Sequence, residues 1–230
     1  PDIRWLSHVT ITLVPPCFSI LIQTPVYHPF RISTENNNRK IVTNPLIDTN
    51  GYYTVDFNDF EKKIIDNNVK MFILCNPHNP VGRVWTKEEL EKMGEICLKH
   101  NVLVVSDEIH SDLIFKDSKF TSFLTLKDEL KNNCIVCTAP SKTFNLAGLQ
   151  TSLILIADDE IREKYKNTLM KIRLETPSTF GIEAIKAGYM HSAEWLDELI
   201  DYLDENRKFI EEYIKENMPG VKYLKPEGTY

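Results

Sequence analysis

A chain of 230 residues that is 42% hydrophobic and 26% charged has the composition of an ordinary globular protein with a sizeable core. A net charge of −6, with no basic stripe interleaved with aromatics, excludes a binder of nucleic-acid phosphates. The apolar runs are strand-sized, well short of the roughly 20 residues of a spanning helix. Residues 1–4 do not open a basic-then-apolar leader, so no membrane partner is expected and a cytoplasmic location follows.

In chain order, residues 1–19 show no regular pattern: the first glycine is Gly51, and Pro15 and Pro16 break what precedes them, so an irregular segment is expected there. A strand is predicted over 19–23, a polar turn at Asn36, Asn37 and Asn38, and a short helix over 57–65. From residue 69 onward, apolar runs alternate with helical patterns, the mark of an α/β sheet. Strands are expected at 69–75, 102–106, 134–138 and 151–157. A helix is expected over 86–100, opened by a Thr86/Glu89 capping box, with Leu90, Met93 and Cys97 on one face and Asn101 as its stop. The nearly continuous apolar run at 102–106 requires burial on both faces, as inside a mostly parallel sheet. Helices follow at 158–171, 179–191 and 193–217, and residues 221–224 begin something smaller.

Five cysteines are an odd count in a chain too large to need disulfide staples. Cys134 and Cys137 form a C-x-x-C that invites a redox or zinc reading. With no second pair or nearby histidine, they are read instead as small hydrophobes in a buried strand, and no metal is expected.

Three motifs begin where predicted strands end: NPHNPVGRVW from residue 76, SDEIHSDL from 106 and APSKTFNLAGL from 139. Ligands of doubly wound sheets bind beyond the carboxyl ends of the strands, so one rim offers an amide, a carboxylate, an imidazole and an amine. Singly, each motif has a plainer reading. The first suits a turn. Asp107 and Glu108 could cap a helix or bind a metal, and His110 could be an ordinary surface or core histidine. Ser141, Lys142 and Thr143 look like the tail of a nucleotide-binding loop, but the glycine spacing before the lysine is absent.

Together, these segments and IQTPVYHPF from residue 22 closely resemble the fold-type I pyridoxal-phosphate (PLP) enzymes of aminotransferase classes I and II. Within them they look like the cystathionine β-lyase group of C–S lyases (MalY/PatB type). The resemblance, over residues 19–230, implies an aminotransferase-like large domain at 20–192, a mostly parallel mixed sheet flanked by helices. It also implies an interdomain helix and the truncated start of a small C-terminal domain at 193–230. By the same resemblance Lys142 carries pyridoxal 5'-phosphate as a Schiff base and later moves the α-proton, and Asp107 pairs with the pyridine nitrogen. Asn79 donates to the phenolic oxygen, and His110 stands where many aminotransferases have a tyrosine on that oxygen. Tyr27 stacks on the ring, and Ser141 contacts the phosphate.

Some positions depart from the wider family. Gln150 stands where many aminotransferases place a phosphate-binding arginine, as is common in the lyase group, and Ala139 stands where many relatives have a serine. The resemblance also implies a glycine-bearing phosphate loop before Tyr27, a neighbouring subunit's tyrosine, and a small domain with a carboxylate-binding arginine; this chain shows none of them. The expected activity is therefore α,β-elimination on cystathionine or a similar cysteine S-conjugate, giving pyruvate, ammonia and a thiol, in a homodimer. Weak or no activity is expected from the 230 residues alone. An aminotransferase is the chemical rival, and a non-catalytic remnant or regulatory protein-binding relative is the reading outside catalysis.

Overall fold

The apolar runs pair side by side. In the computed structural model, which describes residues 9, 13–174 and 176–230, the strands are β1 (Ser19–Thr24), β2 (Lys40–Pro45), β3 (Ile47–Thr49), β4 (Tyr52–Thr54), β5 (Val69–Cys75), β6 (Leu103–Asp107), β7 (Cys134–Thr138) and β8 (Leu153–Ile156). Six of them form one sheet in the order β2-β1-β5-β6-β7-β8. Every neighbouring pair in it is parallel except β7 and β8, so the sheet is mixed and mostly parallel as expected. Residues 1–8 and 10–12 of the segment expected to be irregular, including the tetrapeptide read for a leader, lie outside the described residues.

Successive side chains on a strand point to opposite faces, and both faces are buried. Leu21, Phe72, Leu74, Val104 and Val136 belong to one apolar cluster, and Ile20, Met71, Ile73, Val105 and Ile135 to the other. Cys134 packs in the first cluster and Cys137 in the second, so the C-x-x-C thiols stand on opposite sides of the sheet and cannot chelate one ion. Both are free, and burial holds their pKa values well above the ordinary thiol value.

The helices are α1 (Pro29–Asn36), α2 (Phe57–Asp66), α3 (Lys87–Lys99), α4 (Asp128–Asn132), α5 (Pro140–Thr143), α6 (Asp159–Lys171), α7 (Thr179–His191) and α8 (Ala193–Asn217). The capping box of α3 is present: Glu89 N donates to Thr86 Oγ1 at 3.2 Å, and Thr86 N donates to Glu89 Oε2 at 2.9 Å. Asn101 leaves that helix at φ 54°, in the left-handed region that asparagine tolerates. Asp158, expected as the first residue of α6, is instead its cap, accepting from Ile161 N at 2.8 Å.

Three differences from the sequence expectation have physical causes. Strand β8 covers only 153–156 of the predicted 151–157, since an edge strand has one pairing partner. Helix α1 and strand β2 were not foreseen: α1 has no side-chain cap, and β2 carries only two apolar residues before Pro45. That strand lies at the other edge of the sheet, where a terminal proline is tolerated. The third difference is the β3–β4 hairpin, turned by Asn50 and Gly51 with φ of 55° and 92°, the positive values a tight two-residue turn needs.

Residues 221–224 take no regular structure, and the chain then folds back onto the sheet domain as a strap. Glu227 N donates to Gly82 O at 2.7 Å, Phe115 N to Glu227 O at 3.1 Å, and Thr229 N to Leu113 O at 2.8 Å. The strap thus touches the loop after β5 and the segment after β6.

Candidate active site

All three sequence motifs begin at the carboxyl ends of β5, β6 and β7, adjacent in the sheet. Register aligns Cys75, Asp107 and Cys137 across these strands, so Asp107 is the acidic member of a row that otherwise carries thiols. Asp107 is buried, and its Oδ1 accepts from Ile109 N at 3.2 Å. Glu108 turns away from it: its Oε1 accepts from Ser106 Oγ at 2.9 Å and Phe123 N at 2.8 Å, and burial raises its pKa. The acidic pair therefore divides, with one carboxylate at the row and the other anchoring the 3-10 turn Phe123–Thr125.

Tyr27 and Asn79 meet through their main chains, Tyr27 N donating to Asn79 O at 3.0 Å. His78 ties the same two loops, its Nε2 lying 2.8 Å from Pro25 O. Asn79 N donates in turn to Cys75 Sγ at 3.3 Å, and Cys75 is the register partner of Asp107. Cys75 thus joins the Tyr27–Asn79 group to the acid.

His110 is buried, and its pKa falls to about 4, mainly through burial and secondarily through the positive charge of Lys142. It is therefore a neutral imidazole at pH 7, within the electrostatic reach of the lysine. Lys142 is half-buried on α5, directly after β7. Ser141 beside it is buried, with no hydrogen-bond partner for its hydroxyl among the described residues. Such an orphaned group suits an incoming acceptor such as a phosphate oxygen. Gln150 ends the next 3-10 turn at φ 52°, and Ala139 is extended and buried before α5.

A cleft of about 460 Å³ adjoins this rim, walled by Pro25, Pro80, Phe115, Arg207 and Tyr230 among others. Lys142 and Asp107 are not in its wall. Tyr230 belongs to both places, since its ring packs edge-on against His110 with centroids 5.8 Å apart.

Two residues at the rim were not foreseen. Asp112 accepts a hydrogen bond from Thr143, next to Lys142, at 2.8 Å. Arg83 is buried between Glu89 and Glu227. The only local signal for either was a charge inside a motif otherwise accounted for. Among the described residues no cluster of histidine, cysteine or carboxylate side chains could hold a metal, and no helix is long and apolar enough to cross a membrane.

The set fits a phosphorylated pyridine aldehyde in chemical kind. It comprises a buried carboxylate, an amine, a neutral imidazole, an amide and an unsatisfied hydroxyl near the ends of adjacent strands.

Comparison with known proteins agrees. Cystathionine beta-lyase PatB of Bacillus subtilis is 45% identical over 225 residues, which are 98% of this chain and 58% of PatB. Cystalysin from Treponema denticola, solved with a pyridoxal 5'-phosphate cofactor, superposes with a TM-score of 0.97 at 37% identity, covering 100% of this chain and 58% of cystalysin. The PLP-bound C-S lyase from Staphylococcus hominis gives 0.93 at 31% identity over 99% of this chain and 57% of its own. The chain therefore spans less than two thirds of the length of these relatives. The model of the family described as aminotransferase class I and II matches residues 6–230. This chain belongs to the aminotransferase class I and II family.

Proposed function

We propose that this chain is the cofactor-holding part of a PLP-dependent C–S β-lyase, with Lys142 as the residue that binds the cofactor covalently. The observation that carries the reading is the placement of Asp107 at the end of β6 and of Lys142 on the helix that follows the neighbouring strand β7, with neutral His110 within reach of the lysine's charge. When bound, the cofactor supplies an electron sink for the substrate's α-carbon. Asp107, held by Ile109 N, would keep a proton on the ring nitrogen and so deepen that sink. Asn79 and the neutral His110 would hold the phenolic oxygen, Tyr27 would pack against the ring, and the Ser141 hydroxyl, which has no partner among the described residues, would take a phosphate oxygen. The Lys142 amine would serve as the base for the α-proton.

The substrate proposed is an amino acid with sulfur on its β-carbon, such as cystathionine, with the thiolate leaving as the α-proton is removed. Identity to PatB and structural likeness to a PLP-bound C–S lyase support this over transamination. The family is also named for aminotransferases, which would return the proton to the cofactor instead. A cytoplasmic homodimer, and a division into a large domain at 20–192 and a helical connector with the start of a small domain at 193–230, complete the proposal.

Two measurements test it on the full-length protein. Borohydride reduction in the presence of PLP should leave one pyridoxyl-phosphate group (PLP less water plus two hydrogens) on a peptide containing Lys142, and Lys142→Ala should abolish the adduct; label at another lysine would sink the site assignment. Pyruvate and ammonia should appear from cystathionine without a keto-acid acceptor. Strict dependence on a keto acid would favour the transaminase.

A further inference from the structure

We propose that Asp112 is a positioning residue that fixes the aim of Lys142, an inference that rests on the role given to Lys142 above. Helix α5 has four residues. A single turn fixes several dihedrals for about one hydrogen bond and does not stand unaided. Pro140 presets its first φ, but Ala139 offers no side-chain cap. Main-chain bonds tie its far end, Phe144 N to Pro140 O at 2.9 Å and Leu146 N to Ser141 O at 3.1 Å. Its direction must come from tertiary contacts.

Asp112 supplies one at the residue after the lysine. The buried Thr143 donates through Oγ1 to Asp112 Oδ2 at 2.8 Å, and Tyr189 of α7 donates to the same oxygen at 3.2 Å. Burial, then the charge of Asp112, pushes the Tyr189 hydroxyl up to about 12, so it remains a donor across the working pH range. Phe144 is clamped beside this node, edge-on to Tyr189 at 5.3 Å and tilted against Trp195 at 6.0 Å. Gly188 lets α7 approach: a Cβ there would lie 2.7 Å from the Phe144 ring. Asp112 also lies, with His110, on the segment that follows Asp107 at the end of β6. One carboxylate oxygen thus braces the segment that follows the acid and bears the imidazole against the turn bearing the amine. A misplacement of about 1 Å between reacting groups can cost about a hundredfold in rate, so the strut acts on chemistry it does not touch.

The test mixes apo full-length protein with PLP and follows the rate at which visible absorbance develops, together with the pH midpoint of that absorbance. Asp112→Ala and Thr143→Val should each slow capture about tenfold or more and move the midpoint. The double variant should be no slower than the worse single one, because both remove the same bond. Asp112→Asn, whose amide oxygen can accept both hydroxyls, should stay within about threefold of the parent. Thermal unfolding of the apo variants, with the near-isosteric Thr143→Val as the mildest, separates loss of aim from loss of fold. Additive effects, or variants that capture PLP at the parent rate, overturn the assignment of Asp112 while leaving Lys142 in place. Failure of the parent to form the Lys142 adduct overturns both.

Discussion

Arg83→Met is expected to lower the unfolding free energy by about 3 kcal/mol, the low end of what removing one partner of a buried ion pair costs. Arg83 is 3% exposed. Its Nε donates to Glu227 Oε2 at 2.9 Å and one Nη to Glu89 Oε2 at 2.8 Å, while the other Nη donates to Tyr53 O. Its plane lies over the rings of Tyr52 and Trp85, at 3.9 and 4.7 Å from their centroids. Methionine fills part of the volume but leaves two carboxylates and a carbonyl without their shared donor. Both carboxylates keep some access to water, which argues for the low end rather than 5 kcal/mol.

Glu227→Gln should cost less, about 1 kcal/mol, because the amide oxygen can still accept from Arg83 and Val84 N. Arg83→Lys should behave more like methionine than like arginine, since an ammonium cannot form the fork or stack on two rings. Denaturant unfolding at constant m-value reads these differences. A loss below 1 kcal/mol for Arg83→Met would show that the cluster adds little to stability. Local protease cleavage within 221–230 should rise in the same variant, because Glu227 pins the strap to Gly82 and Val84.

The cluster also shows where reading the sequence stopped. Strands β5 and β7 and helices α7 and α8 fall on their expected bounds because burial on both faces, or a helical stripe, leaves a local pattern. Helix α1 and strand β2 leave little pattern, lacking respectively a cap and a full apolar run. The same distinction governs the site. Lys142, Asp107 and Asn79 could be singled out because each sits in a motif at a strand end. Asp112 and Arg83 act through partners 31 and 144 positions away, and no local rule joins such residues. The division of Asp107 from Glu108 follows from the alternation of successive side chains, yet which residue of β6 stands level with Cys75 and Cys137 depends on how β6 is registered between β5 and β7.

Acidification from pH 6.5 towards 4 is expected to remove several kcal/mol of stability through two histidines of the rim. His78 is fully buried, its Nε2 bonded to Pro25 O and its Nδ1 without a partner among the described residues. Burial, reinforced by the charge of Arg83, outweighs the Pro25 bond and lowers its pKa to about 4. His110 is lowered to about 4 as well, by burial and by Lys142. In the unfolded chain both return to about 6.5. Between these values the unfolded state holds protons that the folded state refuses, so stability is present above about 6.5 and is lost as pH falls towards 4. Each group should contribute on the order of 2–3 kcal/mol by pH 4.5, a large share of the roughly 5–15 kcal/mol typical of a domain. Glu108, whose pKa is raised, works in the opposite direction, so the absolute profile mixes the groups. The difference between the parent and His78→Gln isolates one imidazole: glutamine can donate to Pro25 O yet carries no proton equilibrium. Denaturant unfolding at pH 7 and 4.5 should show a smaller loss in His78→Gln by roughly 2 kcal/mol, and equal losses would mean that His78 is not held neutral. Because His78 fastens the loops of Tyr27 and Asn79 to each other, protonation should loosen those loops first. Cofactor release on acidification should therefore precede global unfolding in the parent and be delayed in His78→Gln.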